Sequence, residues 1–488
     1  MEERREFDLG EWRVQPTLNR LTRDEQGVRI EPKLMDVLLF LALRPQQVVS
    51  KDEIAGAVWP ETFITESVIT RAIAGLRRAF GDDARSPRYI ETIAKRGYRL
   101  LLQPAAPARA VGKADLPVPS AGASEAAADP PGDAGELSGS PFVVGQWVRG
   151  ERFYGREEEI REILHGPRNG IWVLGSRAVG KTSLLKQLEH LTAADQSDYF
   201  PLFWDLQGTV EPGDLHEDFA CALAEAEESL GRVGLELSQV QAEDFFVSIG
   251  RLRRALRARG RRLLLLWDEV EELVHLHGRW PVLLRKLRRA LQSQEGIRTV
   301  IASGPRLWQL AQQRDDTSPF LHGFAPPLYL GPLADATAVA LVRQDQNPRP
   351  GAPIPDAGTL RELLGRSGNH PSLLQLLCQR FLESRDLEAA TDAVVSDLTV
   401  SYFLSVDFDL VTPLEREVLL ALAREDSPVT AEGLGLEASP QELATRLQHL
   451  ERLGQVKRSE AGELEIAGEI RRRWLEGQGR EGDVRADR

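Results

Sequence analysis

Short apolar runs alternate with helical patterns through the middle of the chain. The runs are IWVLG (171–175), PLFWDL (201–206), LLLLWDE (263–269) and TVIASG (299–304). The segment SLLKQLEHL, which follows the first run, spaces its leucines as an amphipathic helix does. Strands that alternate with helices are typical of a parallel α/β sheet. After about residue 335 the helical pattern continues alone to about residue 405, which predicts a helical domain behind the sheet.

The two ends of the chain carry a different pattern, in which helices lead into a hairpin. At the N-terminal end, strand-like segments over residues 7–30 precede three helical segments and the hairpin YIETIAKRGYRLLL. At the C-terminal end, TPLEREVLLALA and SPQELATRLQHLERLG form helical patterns before the hairpin VKRSEAGELEI. Ser50 with Glu53, and Thr412 with Glu415, form capping boxes that begin one helix at each end. The C-terminal pattern predicts a winged helix.

The third N-terminal helical segment, from Thr65 to Phe80, has two chemically distinct faces. Its apolar stripe consists of Ile69, Ile73, Leu76 and Phe80, and its opposite face of Ser67, Arg71, Ala74 and Arg78. A small cationic face suits a helix in the DNA major groove, where Arg bonds guanine edges and hydroxyls such as those of Ser67 and Thr70 bond phosphates. The alternative interpretation is a solvated helix face without a partner.

Two motifs, VITRAIAGLRRAFGDD (68–83) and PRYIETIAKRGYRL (87–100), make residues 7–102 similar to a known domain. The segment resembles the winged-helix DNA-binding domain of OmpR/PhoB-type response regulators and CadC-type activators. This resemblance implies a four-stranded sheet, three helices and a wing that bind double-stranded promoter DNA, with RNA polymerase as a further partner. The residues implied for DNA contact are Arg71 and Arg78 on the recognition helix and Lys95 and Arg96 on the wing.

The charge of the chain is unevenly distributed. Its 488 residues carry 61 Lys and Arg against 74 Asp and Glu, a net charge of −13, which excludes a globally basic DNA-binding protein. Residues 1–105 hold 17 basic and 16 acidic residues, so the acidic excess lies in the rest of the chain. The chain has only two cysteines and no apolar run at its N-terminus, which argues against a disulfide-stapled secreted protein. Because no apolar stretch approaches the ~20 residues of a membrane span, we expect a cytoplasmic protein without a membrane partner.

The segment from Gly175 to Thr182, GSRAVGKT, matches the pattern GxxxxGK[ST] between the first apolar run and its helix. Its glycines let the backbone wrap around phosphates. The main-chain N–H groups and the helix N-terminus compensate the negative charge of these phosphates. Lys181 would reach the β- and γ-phosphates of ATP or the β-phosphate of ADP, and the Thr182 hydroxyl would ligate Mg²⁺. The predicted nucleotide-binding residues are Gly175, Ser176, Arg177, Ala178, Val179, Gly180, Lys181, Thr182 and Ser183.

About 85 residues further on, the run LLLLWDE ends in Asp268 and Glu269. A buried strand that ends in two carboxylates fits a Walker B site, where Asp268 holds Mg²⁺ and Glu269 polarises the attacking water. The alternative is an ordinary strand end with a solvated acidic turn. We therefore predict Lys181, Asp268 and Glu269 as catalytic residues, and Thr182 and Asp268 as metal ligands.

Further segments resemble the AAA+/STAND class of P-loop ATPases: FYGREEEIREIL (153–164), TVIASGPR (299–306) and GNHP (368–371). The resemblance covers residues 145–405 and implies a place near the adenine for Tyr154, Gly155 and Arg156. It puts Ser303 at the sensor 1 position, among the catalytic residues. It also implies that Pro371 packs against the adenine and closes a helical lid, although GNHP also fits a plain helix N-terminal turn.

The net charge of the predicted C-terminal winged helix indicates whether it is suited to bind DNA. Residues 411–476 hold 9 basic and 13 acidic residues, a net charge of −4, which argues against DNA binding. In STAND proteins the winged helix after the lid is an internal clamp on the ATPase, and the resemblance implies that role here. His449 lies within a helical pattern and is expected to be structural.

Composition separates the N-terminal winged helix from the remainder. Residues 104–141 consist largely of Ala, Pro, Gly, Ser and Asp and contain no aromatic residue, which predicts a flexible linker. The predicted fold class is multidomain α/β and α+β. Its parts are a winged helix (1–104), the linker (105–143), a P-loop ATPase domain with a parallel sheet (144–335), a helical lid (336–407), a second winged helix (408–478) and a tail (479–488).

The order of these features predicts an ATP-dependent transcriptional regulator. With ADP, the lid and the C-terminal winged helix would hold a closed monomer, whereas ATP would open it and allow homo-oligomerisation and promoter binding. Slow hydrolysis would reset the switch. Two other hypotheses stay open: a DNA-associated AAA+ ATPase that acts in remodelling or defence, and a scaffold whose nucleotide is structural.

Overall fold

The chain forms two compact units, Met1–Ser140 and Pro141–Arg488. The computed structural model describes residues 7–23, 26–30, 32–58, 66–82, 87–93, 96–104, 140–194, 196–206, 209, 211–292, 295–310, 320–348 and 355–486. Over these ranges, no helix is both long enough and apolar enough to span a membrane.

Short strands and helices make up the described part of the first unit. Its strands are β1 (Phe7–Leu9), β2 (Trp12–Gln15), β3 (Arg20–Arg23), β4 (Gln26–Arg29), β5 (Val48–Val49), β6 (Ile90–Ile93) and β7 (Gly97–Leu100). Its helices are α1 (Pro32–Ala42), α2 (Lys51–Val58) and α3 (Glu66–Phe80). Strands β1 to β4 form an antiparallel sheet in chain order, and β7 pairs with both β5 and β6. The predicted winged-helix fold is confirmed.

The core of the first unit fixes α3 against the hairpin. The apolar stripe predicted for α3 is buried: Ile69, Ile73, Leu76 and Phe80. The Phe80 ring stacks on Tyr89, with ring centroids 4.8 Å apart. Just after α3, the Asp82 carboxylate accepts the backbone N–H groups of Arg88, Tyr89 and Ile90, at 2.6, 3.1 and 2.9 Å. These contacts tie the end of α3 to the start of β6.

A parallel sheet lies at the centre of the second unit. Its strands are β8 (Gly170–Leu174), β9 (Tyr199–Asp205), β10 (Arg262–Asp268), β11 (Ile297–Ser303) and β12 (Leu328–Tyr329), in the spatial order β12–β8–β11–β10–β9. The accompanying helices are α4 (Glu157–His165), α5 (Lys181–Thr192), α6 (Pro212–Glu225), α7 (Glu227–Arg232), α8 (Leu237–Val240), α9 (Phe245–Arg257), α10 (Glu272–Arg279) and α11 (Pro281–Gln292). The predicted parallel α/β sheet is confirmed, whereas β12 is absent from the sequence prediction because its two residues show no pattern.

Alternate residues of the buried strands face opposite layers of the second unit. In β10, Leu263, Leu265 and Trp267 join the core beneath α6, α9 and α11, while Leu264 and Leu266 pack with α4 and α5. Burial on both faces explains why the strands are continuous apolar runs. Because the strands are parallel, the residues that follow β8 and β10 meet at one edge of the sheet.

Helices and one short hairpin form the remaining described part of the second unit. They are α12 (Asp335–Arg343), α13 (Ala357–Ser367), α14 (Pro371–Ser384), α15 (Leu387–Val395), α16 (Leu398–Leu410), α17 (Pro413–Arg424), α18 (Pro440–Arg452), β13 (Val456–Arg458), β14 (Leu464–Ile466) and α19 (Glu469–Ala486). The capping box predicted at Thr412 and Glu415 is confirmed. The predicted lid and the predicted C-terminal winged helix share one apolar core, so they pack as a single body.

Gly97 shows how tightly the wing is built. Its φ is +125°, and a Cβ built there would lie 2.0 Å from the carbonyl oxygen of Val49 in β5. We expect Gly97→Ala to destabilise the first unit by about 3 kcal/mol, because the backbone conformation and the β5–β7 pairing must both change. Thermal and chemical unfolding of the full-length protein would measure this loss.

Gly56→Ala is the matched control. Gly56 lies in α2, a Cβ there would meet nothing within 4 Å, and alanine should stabilise the helix by up to about 1 kcal/mol. Equal stabilities of the two variants would contradict this account of the wing.

Candidate functional site

The loop between β8 and α5 has the backbone of a phosphate-binding loop. Ala178 and Gly180 have positive φ angles of +56° and +99°, and Gly180 is the N-cap of α5. At Gly175 a Cβ would lie 2.7 Å from the carbonyl oxygen of Leu330, so the loop begins in close contact with its neighbour. The chain therefore turns sharply and presents N–H groups at a helix N-terminus, an arrangement that binds anions. Val179, the fifth loop residue, is buried.

Lys181 and Thr182 begin α5 and face the loop and the sheet. The Lys181 ammonium donates to the carbonyl oxygens of Gly175 and Ser176, at 3.1 and 2.9 Å, so it lies across the loop. The Thr182 hydroxyl donates to Oδ2 of Asp268 at 2.6 Å. The structure thus brings together the two residues that the sequence predicts as Mg²⁺ ligands.

Acidic side chains cluster at the end of β10. Asp205 ends β9 directly opposite Asp268 in the strand register. Burial, and then the charge of Asp205, raises the pKa of Asp268 to about 6. Burial, followed by the charges of Glu271 and Asp268, raises the pKa of Glu269 to about 8. In this arrangement burial and the neighbouring acidic charges both favour the protonated form of the Glu269 carboxyl.

Tyr154, Gly155 and Arg156 lie where the sheet meets the lid. The Tyr154 hydroxyl accepts the Gln346 backbone N–H at 3.4 Å, and burial raises its pKa. A Cβ on Gly155 would lie 2.6 Å from the side chain of Thr337 in α12. The Arg156 guanidinium donates to the carbonyl oxygen of Gly331 at 2.5 Å, just after β12. These residues join the sheet to α12, and contact with an adenine stays a prediction.

The segment before Tyr154 closes over α5. The Val148 N–H donates to the Ser183 hydroxyl at 3.1 Å, and the Gly150 N–H donates to the Gln187 side-chain oxygen at 2.7 Å. An open cavity of about 560 Å³ lies beside these contacts, with Gly150, Gln187 and Gln346 in its lining. Ser183 therefore holds this segment in place, and its contact with a nucleotide stays a prediction.

Ser303 ends β11, which lies between β8 and β10 in the sheet. Its buried hydroxyl accepts the Trp172 indole N–H at 2.9 Å and donates to the Gly304 carbonyl oxygen at 3.1 Å. Only the Ser303 backbone is seen to contact the loop, through the Gly175 N–H at 3.3 Å. The hydroxyl thus has a packing role in this structure, and a catalytic role for Ser303 stays a prediction.

Asp407 in α16 contacts the P-loop as an anion would. Both its carboxylate oxygens accept the backbone N–H of Arg177, at 3.1 and 3.2 Å. Burial raises the pKa of this carboxyl, while the Arg177 hydrogen bond and the charges of Lys181 and Arg471 oppose that rise. Arg471 lies buried in α19. Helices α12 to α19 together with β13 and β14, which we call the helical body, thus place a carboxylate and a guanidinium beside the loop.

Two more hydrogen bonds join the helical body to the P-loop. The Ser372 hydroxyl, in the first turn of α14, donates to the Ala178 carbonyl oxygen at 2.6 Å. The Ser176 hydroxyl donates to the carbonyl oxygen of Leu453, just after α18, at 3.0 Å. Neither Leu453 nor Asp407 lies in a motif that the sequence reveals. Only Ser372 had a local signal, since it follows Pro371, the first residue of α14, in the GNHP motif.

His370 is the buried N-cap of α14 and also contacts the P-loop. Its Nδ1 accepts the Leu373 backbone N–H at 3.4 Å, and its Nε2 lies 3.2 Å from the Arg177 carbonyl oxygen. Because Nδ1 is an acceptor, the neutral ring carries its proton on Nε2 and donates it to the loop. Burial, followed by the charge of Arg471, lowers the pKa of His370 to about 3.

The structure describes part of the predicted DNA-binding face. Arg78, in the last turn of α3, and Arg96, at the hairpin, are exposed. Ser67, Thr70 and Arg71 lie on α3, although their side chains are outside the described set, and Lys95 lies outside the described residues. DNA contact by these residues stays a prediction.

The first unit is similar to known transcriptional regulators. Residues 24–100 match the family model described as "Transcriptional regulatory protein, C terminal". The chain is 40% identical over 95 residues to "Transcriptional activator CadC" of Escherichia coli (strain K12), which is 19% of each chain. It is 35% identical over 91 residues to "Cholera toxin homolog transcriptional activator" of Vibrio parahaemolyticus, which is 18% of this chain and 31% of that protein. The chain thus spans less than a third of either relative.

Solved structures resemble each unit. "The walker-type atpase paby2304 of pyrococcus abyssi" is similar over 68% of this chain and 98% of that chain, with 16% sequence identity and a TM-score of 0.47. The DNA-binding domain of Escherichia coli CadC is similar over 21% of this chain and 98% of that chain, with 35% identity and a TM-score of 0.20. The family match and the geometry above together identify a winged-helix DNA-binding domain of the transcriptional-regulator type, fused to a P-loop ATPase fold.

The low pKa of His370 has a consequence for stability against acid. An unfolded chain protonates this ring below pH 6.5, whereas the folded ring stays neutral to about pH 3, so stability is lost as the pH falls through that range. Below pH 6.5, we expect the free energy of unfolding of the wild type to fall with decreasing pH more steeply than that of His370→Asn. The two slopes should differ by up to about 1.4 kcal/mol per pH unit. Asn keeps a side-chain acceptor at the N-cap without titrating.

Chemical denaturation of both proteins at a series of pH values measures the two slopes. Carboxyl groups titrate in both proteins, so the difference between the slopes isolates the histidine. Parallel slopes would show that His370 is not held neutral.

Proposed function

We propose that this fusion of a transcriptional-regulator DNA-binding domain with a P-loop ATPase fold is a STAND-type transcriptional regulator controlled by its nucleotide. ADP or ATP binds at the P-loop with Mg²⁺, and the ATP form oligomerises, binds promoter DNA and engages RNA polymerase. The observation that carries the proposal is the bonding of the helical body to the P-loop, through Asp407, Ser372 and Leu453. A ligand that changes the loop's contacts must also change how this body is held.

The residues at the loop fit a nucleotide. Gly175 and Gly180 give the loop its close approach and its positive φ, and Lys181 would hold phosphate oxygens. Thr182 and Asp268 would hold Mg²⁺, which neutralises phosphate charge when bound. Among the described residues, no group of three or more His, Cys, Asp or Glu side chains could hold a metal ion. Mg²⁺ commonly keeps several waters when it binds phosphates, so we expect the cation to take most of its ligands from phosphate and water.

The acidic cluster favours a slow ATPase that acts as a switch. A residue that orients or deprotonates water must be ionised, whereas burial and the neighbouring charges of Glu271 and Asp268 raise the pKa of Glu269 and so oppose its ionisation. Hydrolysis would then serve to reset the switch, after the surroundings of Glu269 change.

The C-terminal winged helix supports the same proposal as an internal clamp. It shares its core with the lid, and its Leu453 carbonyl accepts a hydrogen bond from the loop residue Ser176. Its net negative charge disfavours a second DNA reader. These features support a role in holding the closed state rather than in reading DNA.

Asp407 makes phosphate binding compete with this closed state. Its carboxylate lies on a backbone N–H of the loop that is predicted to bind phosphate. A buried carboxylate repels an incoming phosphate chain, and the repulsion is larger for ATP than for ADP because ATP carries more charge. The closed state would therefore tolerate ADP better than ATP.

The oligomeric state in defined nucleotides tests the proposed function. We expect a monomer with ADP and a larger species with a non-hydrolysable ATP analogue, measured by light scattering after gel filtration. Lys181→Ala should weaken nucleotide binding about ten- to hundredfold, because the ammonium no longer donates a charge-assisted hydrogen bond to phosphate, and should abolish the larger species. Lys186→Ala, further along α5, is the control. A Lys181→Ala protein that binds ATP and oligomerises normally would contradict the proposal.

Asp407→Asn tests the competition between carboxylate and phosphate. The variant keeps an acceptor for the Arg177 N–H but removes the charge. We expect it to bind the ATP analogue about five- to tenfold more tightly, with a smaller gain for ADP, as measured by calorimetry. Asp409→Asn, on the same helix but exposed, is the control. Unchanged or weaker binding of both nucleotides by Asp407→Asn would argue against the competition.

The same measurements separate the other two hypotheses. DNA-stimulated turnover without preference for a promoter sequence would support a DNA-associated AAA+ ATPase of remodelling or defence. Bound nucleotide with identical shape and DNA affinity in ADP and in the ATP analogue would support a scaffold.

A further inference from the structure

The second unit carries a concentrated basic surface although the unit as a whole is acidic. Residues 141–488 hold 42 Lys and Arg against 53 Asp and Glu. Within residues 245–262 there are seven arginines, and within 281–292 three arginines and one lysine, with no acidic residue in either stretch. These two stretches correspond to α9 with the start of β10, and to α11. The charge is therefore segregated rather than mixed along the surface.

Helices α9 and α11 present this charge on one side of the sheet. They contact each other, and they cover β10 and β11 respectively, on the face opposite α5. Their inward stripes include Leu252, Leu256, Leu284 and Leu287. The residues exposed on their outer faces include Arg251, Arg254, Arg257, Arg285, Lys286 and Arg289, which we call the basic platform. Packed helices lie about 8–10 Å apart, so the platform is a continuous surface about two helices wide.

Two cations of the platform, Arg251 and Arg254, bond to backbone carbonyl oxygens. Arg251 donates to the Gln241 carbonyl oxygen and Arg254 to that of Gly250, both at 3.1 Å. Arg257 pairs with Glu295 at 3.1 Å, but both side chains are largely exposed, and such pairs contribute little. A carbonyl oxygen leaves the charge of a guanidinium uncompensated. The platform is therefore a positive surface suited to a polyanion.

We propose that the basic platform binds the phosphate backbone of duplex DNA without reading its sequence. Five of its six cations are arginines, whose planar fork of donors matches phosphate geometry. Its exposed apolar side chains are small: Val247 and Val282 lie on these helices, whereas membrane-binding surfaces insert larger aromatic or leucine side chains. The chain already carries a DNA-binding domain, so a second weak contact on the same chain would raise the overall affinity for DNA. This proposal does not depend on nucleotide binding.

Charge reversal at four positions tests the platform in the full-length protein. The test variant is Arg251→Glu, Arg254→Glu, Lys286→Glu and Arg289→Glu together. The control variant is Arg343→Glu, Arg361→Glu, Arg385→Glu and Arg424→Glu, which changes the net charge equally at exposed sites of the second unit. Binding to a labelled random-sequence duplex of about 20 base pairs is measured by fluorescence anisotropy over a series of salt concentrations.

We expect the affinity of the platform variant for DNA to fall at least about tenfold, and its salt dependence to decrease by about 0.9 in slope for each phosphate that the variant no longer neutralises. The affinity of the control variant should fall much less. If the affinities of both variants for DNA fell equally, the effect would be due to net charge alone. If the platform variant kept the wild-type affinity, DNA binding would be confined to the first unit. Either result overturns the proposal, as would a variant that loses binding to anionic vesicles but not to DNA. Circular dichroism and thermal unfolding verify that each variant is folded.

Discussion

The contact between the Asp407 carboxylate and the Arg177 backbone N–H connects the candidate nucleotide site to the rest of the second unit. A charge-assisted hydrogen bond of this kind contributes about 1.5–3 kcal/mol, whereas micromolar binding of a nucleotide contributes about 8 kcal/mol. Binding energy at the loop is therefore large enough to replace this contact and its neighbours. Because the lid and the C-terminal winged helix share one core, we expect a change at Asp407 to affect both.

The division of charge along the chain is consistent with two kinds of DNA contact. The first unit is close to neutral, has arginines exposed on α3 and at its hairpin, and matches over residues 24–100 the family model of a transcriptional regulatory domain. The second unit is acidic overall but carries a cluster of arginines on α9 and α11. A net charge of −13 would by itself argue against nucleic acid, yet local surfaces decide what a protein binds.

The sequence predicted those parts of the fold and of the candidate site that have local signals. The P-loop is a contiguous motif, and Asp268 ends an apolar strand, so both could be recognised and both lie at the same edge of the sheet. Asp407 and Leu453 contact the loop from 230 and 277 residues away, and no local pattern marks either. Asp205 approaches Asp268 only because β9 is the neighbour of β10, and strand order cannot be inferred from one strand's composition. Helix α19 extends into the predicted tail, where Gly479, Gly482 and many charged residues hide its period.

Hydrogen–deuterium exchange of the full-length protein tests the central claim most directly. The backbone N–H of Arg177 and the peptides that contain residues 403–410 and 450–456 report whether the helical body is bonded to the loop. We expect strong protection of these segments with ADP, and faster exchange of the two helical-body peptides with a non-hydrolysable ATP analogue. Identical exchange in the two nucleotides, measured at saturating ligand, would contradict the claim that these contacts form the switch.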